Sequence, residues 1–86
     1  MNITLQLFGV YRRFQDVDAI VLTCPDDATI ADVRGALGAH ALANWQGWDE
    51  GILRRTVFAS PEEVLRDPDP VPGDGRLAIL PPVSGG

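Results

Sequence analysis

The chain has no lysine, a single cysteine and a single histidine, and no apolar run near the roughly 20 residues that a membrane-spanning helix needs. Each scarcity excludes something. One cysteine cannot close an internal disulfide. No basic segment followed by an apolar stretch comes after Met1, so nothing points to secretion, and the cytoplasm is the expected compartment. The seven cationic residues, Arg12, Arg13, Arg34, Arg54, Arg55, Arg66 and Arg76, form no stripe, and the formal net charge is −5 with a pI near 4.5. Binding to phosphate backbones needs clustered cations, so nucleic acid and anionic membranes are not the expected partners. A positively charged protein surface is. Without a His/Cys cluster or a nucleophile beside a base, neither a metal site nor a stand-alone enzyme is indicated. There are no repeats and no low-complexity blocks.

What is present suits one small folded domain. At 86 residues, with 45% hydrophobic and 22% charged residues, the chain can bury about 60% of the surface it exposes when unfolded, enough for one modest core. "NITLQLFGVYRRF" alternates Ile3, Leu5 and Leu7 against Thr4, Gln6 and Phe8, the period of a strand with one buried face. Val17 to Thr23 reads as the returning strand of a hairpin. Thr29 followed by Asp32 has the form of a helix start, and Ile30, Val33, Leu37 and Ala41 then fall at helical spacing on one face. Gly35 and Gly38 each weaken that helix by up to about 1 kcal/mol relative to alanine, so packing must hold it. "NWQGWDEG" is a polar loop in which at least one of Trp45 and Trp48 is expected to cover an end of the core, the other reading being a partner anchor. "ILRRTVFAS" reads as a third strand, Pro61 to Arg66 as a single helical turn after Ser60, "DPDPVPGDG" as a loop with a tight turn at Pro72 to Gly75, and "RLAIL" as the last strand.

The order predicts an α+β domain over residues 1–80, a mixed sheet with one helix packed across it. The first and last strands are expected to lie parallel at the centre, since the connections between them are long enough for a crossover. This is the β-grasp layout, as in ubiquitin, although pattern alone leaves other small α+β folds open. Residues 81–86 are expected to form a flexible C-terminal tail. Pro81 has no amide hydrogen, so the ladder is expected to stop at Leu80 and the chain to leave in extended geometry. Six residues reach at most about 20 Å, far enough for a terminal carboxylate to enter another protein's active site. Gly85 and Gly86 have no Cβ and can thread a narrow channel. A resting carboxylate is a poor electrophile. Useful chemistry requires activation, most simply by ATP to an acyl-adenylate from which a sulfur nucleophile displaces AMP, leaving a thiocarboxylate.

Two final glycines alone are weak, arising by chance in roughly one chain in two hundred at ordinary glycine usage. The whole ending, an apolar strand followed by Pro81, Pro82, Val83, Ser84, Gly85 and Gly86, resembles that of the MoaD/ThiS family of ubiquitin-like sulfur carriers, and most closely the small subunit of molybdopterin synthase. "GDGRLAIL" is similar to the family's turn and last strand, "LFGVYRR" to its first strand and following loop, and "ATIADVRGAL" to its helix start. The resemblance implies that Gly86 is adenylated by an E1-like enzyme using ATP and receives sulfur from a sulfurtransferase. It further implies delivery of that sulfur inside a synthase large subunit during molybdenum cofactor biosynthesis, where the acceptor is precursor Z. The chain would then be a co-substrate or small subunit without catalytic side chains and without a bound cofactor. Pro81, Pro82, Val83, Ser84 and Gly85 would form the inserted tail, and Phe8 and Leu80 the docking patch, with core or edge packing as their ordinary alternative.

Thr56-Val57-Phe58 stands where the family often has Ala-Val-Asn, Gly75-Arg76 where its turn often ends in two acids, and Arg13 where many relatives carry an acid. A dedicated carrier for thiamin, cysteine or a sulfur-containing natural product therefore stays open. So does a ubiquitin-like protein modifier using the same terminus, or a plain interaction module whose tail is incidental. Cys24 reads as a buried or half-buried thiol, His40 as a cation suited to a helix end, and Asp26-Asp27 and Asp67 to Asp69 as solvated loop acids.

Overall fold

The computed structural model describes residues 1–81. β1 (Asn2–Leu7) is followed by a short helix α1 (Tyr11–Phe14), then β2 (Ala19–Thr23) and the long helix α2 (Ile30–Asn44). A second short helix α3 (Glu50–Arg55) precedes β3 (Val57–Ala59), β4 (Val64–Leu65) and β5 (Arg76–Leu80). The five strands form one mixed sheet in the order β2-β1-β5-β3-β4, in which β1 and β5 pair in parallel and the other neighbours are antiparallel. The parallel centre expected from the connection lengths is therefore present.

Alternation on the strands sorts the two faces. Ile3, Leu5, Leu7, Ile20, Leu22, Leu77, Ile79 and Phe58 all turn to one side, where α2 lays Ile30, Val33, Leu37 and Ala41 against them. α2 starts where its sequence signals it: the Thr29 amide donates to the Asp32 carboxylate at 2.9 Å. Among the described residues no helix lies over the opposite face of the sheet.

Trp45 is buried and closes one end of the core. Its ring stacks on Phe14 at 5.4 Å, and its Nε1 donates to Gln15 Oε1 at 2.7 Å. Gln15 Oε1 also meets His40 Nε2 at 3.0 Å. Indole nitrogen is only a donor, so the shared oxygen must accept from both, and His40 carries its proton on Nε2.

Three expectations need correction. The returning strand begins at Ala19 rather than Val17, because the hairpin connection is occupied by α1. "ILRRTVFAS" is not one strand: Ile52 to Arg55 lie in α3, and only Val57 to Ala59 are extended. Asp49 caps α3 by accepting from the Gly51 amide at 2.7 Å, and Arg34 reaches across from α2 to donate to the Leu53 and Thr56 carbonyls at 2.7 and 2.8 Å. The Arg34 bonds tie the end of α3 to α2 across 19 and 22 residues of sequence, and a local pattern cannot foresee them. Arg34 also pairs with Asp67 at 2.9 Å and lies over the Phe58 ring at 4.9 Å.

The third correction concerns Pro61 to Arg66, where Val64 and Leu65 form β4 against β3 in place of a helical turn. Ser60 does behave as a cap, its Oγ accepting from the Glu62 and Glu63 amides at 3.3 and 3.2 Å. Its own amide, however, bonds the Glu63 carbonyl at 2.9 Å, which closes a hairpin. The expected turn at Pro72 to Gly75 is present: the Gly75 amide donates to the Pro72 carbonyl at 2.9 Å.

Candidate functional site

The parallel pairing of β1 and β5 brings the ends of both strands to the same edge of the sheet. The last paired residues are Leu7 and Ile79, both facing the core. One step further come Phe8 and Leu80, which by alternation belong to the uncovered face. Phe8 is 43% exposed, and Leu80 is half-buried and pairs with Val57. The two residues expected to form a docking patch therefore lie at the same end, where β5 gives way to Pro81. Pro82, Val83, Ser84, Gly85 and Gly86, expected to form the rest of the tail, lie outside the described residues.

Beside Phe8 the uncovered face carries an open groove of about 370 Å³, lined by Gln6, Phe8, Ala59, Ser60, Pro61, Arg76, Leu77 and Ala78. The register places Gln6 opposite Ala78, and Ala78 opposite Ala59, so small side chains form its floor. Phe8 and Pro61 form apolar walls, and Arg76 supplies a cation toward the start of β5. Such a surface suits an apolar knob on a partner protein. Sequence reading did not find Ala59, Ser60, Pro61 or Ala78. Small residues leave no pattern of their own, and the groove exists only once β3 lies beside β5.

The chain behind the patch is held by buried polar contacts. Tyr11, fully buried, places its hydroxyl 2.7 Å from Thr56 Oγ1 and donates to the Leu80 carbonyl at 3.2 Å. Burial holds its pKa above the ordinary tyrosine value, so the phenol stays protonated as a donor. Sequence reading took no notice of Tyr11, although a tyrosine two residues after a glycine at a strand end is a visible signal.

The other candidates settle as structural. Cys24 is buried, and that burial pushes its thiol pKa up, opposite to what a nucleophile needs. His40 is engaged with Gln15 and stands edge-on to Trp45 at 5.7 Å. Trp48 is half-buried against Trp45 and Phe14. Among the described residues no group of three or more His, Cys, Asp or Glu is placed to hold a metal ion, and no helix is long and apolar enough to cross a membrane.

No protein-family model matches the chain, and no curated protein matches it by sequence. Among solved structures it is similar to the crystal structure of SAMP1 from Haloferax volcanii, with a TM-score of 0.70 and 28% sequence identity over 100% of both chains. This is a β-grasp domain. The likeness covers the full length of both chains.

Proposed function

We propose that this β-grasp domain is a sulfur carrier whose reactive group is the C-terminal carboxylate of Gly86. The observation that supports the reading best is the placement of β5. It is a central strand, and it ends at Leu80 beside the exposed ring of Phe8 and the apolar groove. A partner docked on that patch would have the tail directed toward it. Among the described residues no nucleophile stands beside an acid/base pair, which is consistent with chemistry at the last atom.

In this proposal an E1-like enzyme transfers AMP from ATP to the Gly86 carboxylate and releases pyrophosphate. A hydrosulfide equivalent from a sulfurtransferase then attacks the acyl carbon, AMP leaves, and the thiocarboxylate remains. Val83 would seat in the channel mouth, while Gly85 and Gly86 pass a bore too narrow for any Cβ. The finer assignment, from the resemblance of the ending to the molybdopterin synthase small subunit, is delivery of sulfur to the synthase large subunit in the cytoplasm.

The test is intact-mass analysis after incubation with ATP, a sulfide source and an E1-like adenylating enzyme. A gain equal to one oxygen-to-sulfur exchange, mapped to Gly86, supports the carrier reading. No gain with any such enzyme overturns it. Ladders of covalent conjugates in cells producing the tagged chain would instead indicate a protein modifier. Those ladders could not be lysine-linked chains of the domain itself, which has no lysine.

A further inference from the structure

Leu80 is the last residue of β5, and its carbonyl is held from within the domain by the Tyr11 hydroxyl at 3.2 Å. That hydroxyl also meets Thr56 Oγ1 at 2.7 Å, and Thr56 Oγ1 donates to the Ile52 carbonyl in α3 at 2.7 Å. Three oxygen-to-oxygen contacts thus share two hydroxyl protons. With the Thr56 proton given to Ile52, the Tyr11 proton is divided between Thr56 and Leu80. With the donors reversed, Thr56 donates to Tyr11 and Tyr11 donates wholly to Leu80. From the other side, Gly9 lies against Pro81: a Cβ built on Gly9 would stand 3.3 Å from Pro81 Cγ, and Gly9 has φ +60°, in the left-handed region. Gly9 and Tyr11 belong to the same turn, in which the Tyr11 and Arg12 amides bond the Phe8 and Gly9 carbonyls at 3.3 and 3.2 Å.

We infer that this β1–α1 turn is the seat that aims the C-terminal tail: Tyr11 fixes the Leu80 carbonyl, Gly9 admits the Pro81 ring, and together they set the direction in which the chain continues. Pro81-Pro82 restricts φ at two successive positions, so an angular change at Leu80 is carried outward rather than absorbed. Tyr11 and Gly9 are then positioning residues for delivery of Gly86, acting through Leu80 and Pro81. The biological consequence rests on the sulfur-carrier reading; the seat itself does not.

The experiment uses the full-length labelled chain with no partner and no sulfur source. Val83 has the first amide beyond the two prolines, so its ¹⁵N order parameter and residual dipolar coupling report the direction and restraint of the exit. Tyr11→Phe and Gly9→Ala are expected to change the Val83 coupling and lower its order parameter while core amides keep their wild-type values. Thr56→Val, which releases the Tyr11 proton to Leu80, is expected to raise the order parameter. In the thiocarboxylation assay Tyr11→Phe should lower kcat about tenfold with KM unchanged, because docking is intact and only the placement of the reacting atom is lost. Wild-type Val83 values in folded Tyr11→Phe and Gly9→Ala chains overturn the inference. If Tyr11→Phe does not fold, Gly9→Ala alone decides. A wild-type chain that never gains sulfur while the variants still shift Val83 sinks the carrier reading and leaves the seat standing.

Discussion

Gly38 and Leu53 share one volume: a Cβ on Gly38 would stand 2.7 Å from Leu53 Cδ2, so a larger residue there must turn that methyl aside. Gly35, one turn earlier on the same helix, has nothing within 4 Å of the equivalent point. The two glycines should therefore respond in opposite directions. Gly35→Ala is expected to stabilise by about 0.5–1 kcal/mol through helix propensity and a less flexible unfolded chain. Gly38→Ala gains the same propensity but must displace Leu53, for a net loss of about 1 kcal/mol. Urea unfolding of the two variants checks both signs, and equal gains would show that Leu53 moves aside freely.

Gly75 presents a harder case. Its φ is +67°, and a Cβ there would stand 2.7 Å from the Asn2 backbone oxygen. That backbone cannot retreat easily, because the Gly75 carbonyl accepts from the Thr4 amide at 2.8 Å where β5 enters beside β1. Gly75→Ala combines left-handed strain with a backbone clash and is expected to cost about 3 kcal/mol or more, seen as a large fall in the urea midpoint at unchanged slope.

Phe8 should separate stability from docking. Its exposed ring contributes little to the core, so Phe8→Ala is expected to alter unfolding free energy by no more than about 0.5 kcal/mol. The same variant should raise KM for the adenylating partner about tenfold, as the loss of an aromatic anchor does at an interface centre. An unchanged KM would remove Phe8 from the proposed docking patch.

Extending the chain by one uncleavable residue past Gly86 should abolish thiocarboxylation and leave thermal stability as it was. The carboxylate would move beyond the point where an activating enzyme can present ATP to it, while nothing in the core changes. Intact-mass analysis beside a thermal melt reads both halves.

Alkaline pH should weaken the fold through two buried groups. Burial raises the pKa of both Cys24 and Tyr11 in the folded chain. On unfolding each would lose its proton at a lower pH, so above the unfolded pKa values the unfolded chain binds fewer protons and stability falls. The stabilisation is complete below those values and is lost as pH rises from about 9 through the raised folded values. Cys24→Ser and Tyr11→Phe should each flatten the decline in the urea midpoint between neutral and strongly alkaline pH. A decline as steep in the double variant would assign it to other groups.

Much of the architecture was legible because its signals are local. Alternation marked β1, the Thr29–Asp32 pair marked the start of α2, and the Pro72 to Gly75 turn announced itself by composition and set off β5 behind it. Two of the three places that misled, Ile52 to Arg55 and Pro61 to Arg66, are short segments whose preference is nearly balanced. Distant residues tipped them: Arg34 holding the carbonyls at the end of α3, and β3 supplying a partner for Val64 and Leu65. The site divides the same way. Phe8 and Leu80 are nominated through the family resemblance that the ending carries, whereas Tyr11, Gly9 and the small-residue floor of the groove are not.

The amino-acid order determined by itself which residues are buried along β1 and along α2, since periodicity needs only near neighbours. It also determined that two glycines follow the proline pair. Only the tertiary structure decided that Val64 and Leu65 pair with β3, that Tyr11 reaches the Leu80 carbonyl, and that a groove opens beside Phe8. Those are contacts between separate segments of the chain, and their energies arise only when packing brings both partners out of water together.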